Sequence, residues 1–229
     1  MSKGYIVKHF NHIDAPVLQE LIAETTDSGR VYNTPDGNAY PSVTTVLSEH
    51  SKAGILAWRK RVGEEEANKI STQAATRGTS IHQICEDYLN NKPDYLEGQM
   101  PANIFTFKQI QPILDKYVDN IHYLEAPLYS DFLKTAGRVD CIAEFDGKLS
   151  IIDFKTARKP KKKEWISNYF MQASCYAVMY EERTQIPINR TAIIIAVDGS
   201  EPQIFVEKRD NFIEQFVDLR VQYKEKYNV

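Results

Sequence analysis

The sequence is short of several things that would each have set its class. No apolar run approaches the roughly 18–20 residues needed to cross a bilayer, and the amino-terminal residues 1–10 lack the apolar stretch of a secretory leader. There are three cysteines, Cys85, Cys141 and Cys175. That number is odd and the spacing wide, which excludes a disulfide framework and a four-cysteine zinc or iron–sulfur site. Charge of one sign is also missing: 28 basic and 31 acidic residues leave a net charge of −3. The chain as a whole is therefore not a basic nucleic-acid coat, and any polyanion contact must come from a local patch. Neither internal repeats nor low-complexity linkers occur. These absences fit a reducing, cytoplasmic setting with no membrane attachment.

What is present is ordinary for a folded domain, with 42% hydrophobic and 26% charged residues over a length of 229. One domain is expected. A hairpin and helical section over 1–75 precedes a core over 76–229.

Residues 30–42 read as a hairpin about Thr34-Pro-Asp-Gly37. A helix can start after Ser42 as cap. Helical periodicity covers 52–70, a second helix opens at Gly78-Thr79 and runs to about 91, and a third covers 103–119. The period then becomes two. Strands are predicted at 123–129, 134–145 and 148–155, a long helix at 162–184, strands at 190–197 and 203–207, and a last helix at 210–226. This order predicts an α/β fold, a mixed central sheet flanked by helices, with a helical amino-terminal section.

The most informative segment is Gly137-Arg-Val-Asp140 followed by Ile151-Ile-Asp153-Phe-Lys155-Thr156, joined through Asp146-Gly147. Asp-Gly between alternating strands is a strong two-residue turn signal. That turn pairs positions whose numbers sum to 293 and sets Asp140 opposite Asp153. Lys155 lies two residues on and shares the face. Asp is disfavoured within a strand. Two adjacent, half-buried carboxylates repel each other unless a cation intervenes, and hard oxygen donors suit Mg²⁺ or Mn²⁺. A lysine beside them can orient water or neutralise a phosphoryl transition state.

These residues, with Gln172-Ala-Ser-Cys-Tyr176 after them and Gly78-Thr-Ser-Ile-His82 before, resemble the PD-(D/E)XK nuclease superfamily, and within it the RecB-like exonuclease branch. Pro41-Ser-Val-Thr-Thr-Val-Leu47 resembles an upstream segment of mitochondrial genome-maintenance exonucleases and phage relatives. The resemblance implies a restriction-endonuclease-like core. It implies Asp140, Asp153, the Phe154 carbonyl and His82 as metal ligands, Lys155 as the catalytic lysine, and Gln172 and Tyr176 beside the substrate. Glu125 matches the acid that often precedes the motif, though it also suits a strand surface. Val139 stands where the motif has proline. The cysteines of the iron–sulfur branch are missing, so no cluster is expected.

Other residues have two readings. His82 sits at the edge of the apolar helix face formed by Ile81, Ile84, Cys85, Tyr88 and Leu89, where a packed histidine is also common. Tyr176 fits the core as well as a groove. The run Arg158-Lys159-Pro-Lys161-Lys-Lys163 is a solvated loop or a phosphate contact. Trp58-Arg-Lys-Arg61 suits base stacking or an amphipathic helix with Trp58 inward. Arg77 and Arg138 are further phosphate candidates. The expectation is an Mg²⁺- or Mn²⁺-dependent DNA exonuclease acting on single strands or free ends, in DNA repair, replication or recombination. By resemblance, its setting is a bacterial or phage-infected cell. The rivals are a non-catalytic nucleic-acid-binding module on the same fold and a structure- or sequence-specific endonuclease.

Overall fold

The computed structural model describes residues 8–26 and 29–227. The start of the segment that argues against a leader, residues 1–7, lies outside them. Two sheets are formed. The smaller contains β1 (Ile22–Thr26), β2 (Gly29–Asn33) and β3 (Ala39–Pro41). The expected hairpin is β2–β3, and β1 adds a strand that its exposed, polar sequence did not announce. Ser42 caps α1 (Val43–Val62), its side chain accepting from the Thr45 amide at 2.9 Å.

Gly63, at φ +90°, ends α1, and α2 (Glu64–Leu89) follows at once. This corrects two helix assignments. The expected 52–70 helix is divided at Gly63, and Gly78-Thr79 lies inside α2 rather than opening a helix. A glycine costs only about 1 kcal/mol in a helix interior, too little to break one of 26 residues that opens with three glutamates on its positive end. After α3 (Pro101–Tyr117) comes the main sheet, with strand order β4 (Val118–Ser130), β5 (Thr135–Phe145), β6 (Lys148–Ala157), β7 (Arg190–Val197), β8 (Gln203–Lys208). All neighbours are antiparallel except β6 and β7, which are parallel and joined by α4 (Ser167–Thr184). A single 3₁₀ turn, Lys163–Trp165, precedes α4, and α5 (Ile213–Tyr227) closes the chain.

Two cores cover the two faces of this sheet. One gathers Val46, Leu47, Phe170, Tyr180 and Phe216 from α1, α4 and α5 over Ile142, Ile151 and Ile193. The other gathers Ile81, Ile84, Phe107 and Ile110 from α2 and α3 over Cys141, Ile152 and Ile194. Along β6 and β7 the faces alternate with period two. Along β4 and β5 the alternation breaks. Leu124 and Cys141 face α2 and α3, whereas Ala126 and Val139 face the opposite core. The break falls at Glu125, held at φ +50°, and at Asp140 across from it. The mixed sheet with flanking helices is the fold expected from the sequence.

Candidate active site

The Asp146-Gly147 turn has both residues at positive φ, 52° and 69°, as a type I′ hairpin requires. It fixes the predicted register: Phe145 pairs Lys148, Ile142 pairs Ile151 and Cys141 pairs Ile152. The ladder stops there, one step before Asp140 and Asp153. On the other side Leu124 pairs Cys141 and Ala126 pairs Val139, which places Glu125 opposite Asp140. Three acids, Glu125, Asp140 and Asp153, thus stand in a row across three neighbouring strands.

The row divides into two groups. His82, Glu125 and Asp140 each offer a ligand atom, and those atoms lie within 4.8 Å of one another. Asp153 instead faces Lys155, whose ammonium lies 2.7 Å from Oδ1 and 2.6 Å from Oδ2. Glu125 therefore enters the candidate metal group, a placement that the sequence left evenly open. The backbone of the Phe154 peptide is used at both ends. Its N–H donates to Asp140 Oδ2 at 2.9 Å, and its carbonyl accepts from His82 Nε2 at 2.6 Å. A carbonyl only accepts, so Nε2 carries the proton. Nδ1 then points at Asp140 Oδ1, 3.5 Å away. A neutral nitrogen lone pair facing a carboxylate is repelled unless a cation or a proton sits between them. With hard oxygen donors and one imidazole, this set fits a divalent cation.

The electrostatics are those of a site short of positive charge. Burial, with Asp140 next to it, pushes the Glu125 carboxyl up to about 7. Asp153 is 1% exposed, and burial raises its carboxyl to about 6 against the pull of Lys155. Burial alone would lower the Lys155 ammonium, but Asp153 and Asp140 outweigh it and hold it above its ordinary value. The Tyr169 ring lies under that ammonium at 5.3 Å.

A cleft of about 420 Å³ opens in front of this group. His82, Glu125, Asp140 and Arg138 line it on the main-sheet side, with Gln172 and Tyr176 from α4. Arg30 and Tyr32 of the small sheet, with Ser42 and Thr44 at the start of α1, roof it. None of these four was named as a site residue; the segment 41–47 that holds Ser42 and Thr44 carries a family resemblance, but nothing local ties positions 30–44 to position 140. Ser42 is bridged to Ala136 of β5, which seats the roof. Gln172 and Tyr176 stand one turn apart on α4. A Cβ on Gly137 would come within 2.8 Å of the Tyr176 ring and hydroxyl, so glycine here admits the tyrosine. The Arg138 guanidinium donates to the Glu125 carbonyl and to the Glu20 carboxylate, and so grips the bent segment of β4.

The other expected phosphate contacts lie elsewhere. Arg77, Arg158 and Lys161 line a second cleft of about 440 Å³ beside Thr156. There Arg77 is ion-paired with Asp198 at 2.6 Å, and Arg158 donates to Gln73 at 3.2 Å. Lys159 is exposed on the connection between β6 and α4. Trp58 is half-buried on α1 and lines a third groove with Trp165. The three cysteines are free and buried.

The fold is that of the PD-(D/E)XK nuclease class, and the arrangement of acids, histidine and lysine fits it. The chain belongs to the PD-(D/E)XK nuclease superfamily, whose family model matches residues 108–225. Among individual proteins it is similar to mitochondrial genome maintenance exonuclease 1 of Mus musculus, 29% identical over 178 residues, covering 72% of this chain and 52% of the mouse protein. The protein of the same name from Homo sapiens is 30% identical over 135 residues, 54% of this chain and 38% of the human one. The chain thus spans about half the length of the mouse relative and less of the human one. A solved structure from Eubacterium rectale, named a candidate exonuclease, overlaps 67% of this chain and 65% of its own at 17% identity and a TM-score of 0.45. Among the described residues, no helix is long and apolar enough to cross a membrane.

Proposed function

We propose that this chain is a divalent-metal-dependent deoxyribonuclease that digests DNA from free ends, with single strands as the preferred substrate. One observation carries the reading: a cleft holds His82, Glu125 and Asp140 with ligand atoms within 4.8 Å of one another, and the Asp153–Lys155 pair adjoins them on the next strand. His82 through Nδ1, Glu125 and Asp140 would hold Mg²⁺ or Mn²⁺. Asp153 becomes a further ligand if its hold on Lys155 is exchanged for the cation, and the Phe154 carbonyl if it is released by His82. When bound, the cation supplies Lewis acidity at the phosphate and makes water a better acid.

The remaining roles fall to side chains. Lys155 is a fixed positive charge that orients the attacking water and offsets charge growing on the phosphoryl oxygens. Gln172 and Arg138 border the path of the strand, with buried Tyr176 beside them in the cleft wall. Phosphates beyond the reacting one meet Arg158, Lys159, Lys161 and Arg77. The amino-terminal sheet roofs the cleft, and we assign it with the core to one nuclease unit. End-directed degradation suits replication, repair or recombination, and the buried thiols suit a reducing compartment.

The test is cleavage of end-labelled linear single-stranded DNA with Mg²⁺, Mn²⁺ or EDTA, beside closed circular DNA and RNA. Metal-dependent loss of the linear DNA alone, abolished in Asp140→Asn and Lys155→Ala, is the expected result. Cleavage of the circle would make the chain an endonuclease. Binding without cleavage under any metal would leave a non-catalytic module.

A further inference from the structure

The groove that holds Trp58 lies outside the catalytic cleft, and the chemistry of the cleft makes no use of it. It has a volume of about 450 Å³ and is lined by His50, Ser51, Gly54, Ile55 and Trp58 of α1, facing Glu164 and Trp165 of the 3₁₀ turn and Ser167 and Asn168 at the start of α4. Positions 51, 54, 55 and 58 form one face of a helix. The chain has two tryptophans, and both stand in this groove. Trp165 is 64% exposed, which an indole does not adopt for packing. The Lys162 ammonium lies 5.3 Å from its ring, and Lys159 and Lys161 lie just before it. Gly54 is helical, and a Cβ built on it would meet nothing within 4 Å. It therefore serves no packing need and leaves the groove floor flat.

The position of the groove relative to the reacting centre is set by α4. Asn168 lines the tryptophan groove and Gln172 the catalytic cleft. They are one helical turn apart on the same face, about 6 Å along the axis. Between them Tyr169 carries the Lys155 ammonium at 5.3 Å. Aromatic faces with cations beside them are the platform on which unpaired bases stack. Ser167, Asn168 and His50 supply hydrogen-bonding groups at the rim.

We infer that this groove is a base-stacking subsite for an unpaired nucleotide flanking the one being cleaved, with Trp165 as platform, Trp58 as wall and Lys162 against the adjoining phosphate. The inference rests on the nuclease reading and adds to it that the enzyme grips bases as well as the backbone. Stacking needs an exposed π-face, which a paired duplex withholds, so the groove selects single strands.

Because both tryptophans lie in the groove, their emission reports on it directly. The experiment titrates the full chain in EDTA with a short oligothymidylate and with an abasic oligomer of equal length. The expected result is saturable quenching by the first and none by the second. Trp165→Ala should weaken binding about fivefold or more, the low end for one base stack, and Trp165→Phe should restore most of it. Gly54→Leu fills the floor while improving helix propensity, so it should raise Tm and still weaken binding. No quenching, equal quenching by the abasic oligomer, or unchanged affinity in both Trp165→Ala and Gly54→Leu would overturn the inference. Cleavage of linear DNA by the same preparations separates the two readings. Cleavage with a silent groove removes the subsite and leaves the nuclease, whereas base-dependent quenching without cleavage under any metal does the reverse.

Discussion

Asp153 and Lys155 are two residues apart on one strand, and each depends on the other for its charge. Removing a single partner of a buried pair strands the remaining charge, at roughly 3–5 kcal/mol, whereas removing both is nearly neutral. Lys155→Met is therefore expected to lower stability by about 3 kcal/mol. The double variant Asp153→Asn/Lys155→Met should recover most of that loss, as read by urea unfolding of the four members of the cycle. Neither variant should degrade DNA, so stability returns without activity. Gly137 shows a different kind of dependence. A methyl group there meets the Tyr176 ring and hydroxyl at 2.8 Å, and overpacking of a rigid aromatic costs about 1–3 kcal/mol. Gly137→Ala should lower the urea midpoint and reduce DNA cleavage together, because the displaced ring is itself part of the cleft wall beside Asp140.

At the scale of the element, the bend in β4 governs the site. Glu125 has a left-handed backbone, a conformation that costs a non-glycine residue on the order of 1–3 kcal/mol and gathers at functional positions. The bend turns Glu125 toward Asp140 and His82, where plain alternation would have carried it past them. The bend explains how much of the site was legible in the sequence. The Asp146-Gly147 turn gave the β5–β6 register, because a two-residue loop leaves the pairing no freedom. It could not show that the ladder ends at Cys141 and Ile152, nor that β4 changes face at Glu125. Nothing in Tyr123-Leu-Glu-Ala-Pro marks the change. His122, three residues before the bend, accepts or donates at Nδ1 with the Tyr180 hydroxyl of α4 at 3.0 Å. Burial lowers its pKa, with Glu144 pulling the other way. The unfolded chain then binds more protons just below pH 6.5, so this contact loses stability as pH falls through that value. The loss is a fraction of the ~1.4 kcal/mol per pH unit that one proton supplies. His122→Gln should lose less stability than the wild type between pH 7.5 and 5.5, measured by unfolding at each pH.

At the scale of the molecule, the parts of the site come from the small sheet, α2, three strands of the main sheet and α4. The main sheet could be read from the sequence, because periodicity and turns are local signals. The roof could not, because the contact of Ser42 with Ala136 spans a separation that no window sees. A cation bound by His82, Glu125 and Asp140 ties α2 to β4 and β5, and so favours the folded chain over the unfolded one. At ten times its Kd, Mn²⁺ should add about 1.4 kcal/mol. For a chain of this size that is a rise in Tm of roughly 3–6 °C. The rise should be absent in Asp140→Asn, as read by thermal unfolding with and without the ion.

The parallel pairing of β6 with β7 also affects how the proposed active site comes into being. The side chains proposed for catalysis, from His82 to Gln172, have all been synthesised once Tyr176 is made, yet β6 still lacks its neighbour. That strand, Arg190–Val197, pairs with Asp153, Phe154 and Lys155 directly, and it can do so only after the α4 crossover has folded back. Non-local pairing of this kind forms late. A chain leaving the ribosome thus carries the proposed reactive groups before it has the strand that aligns them, so DNA cleavage should appear only after the segment up to Val197 has been made and paired.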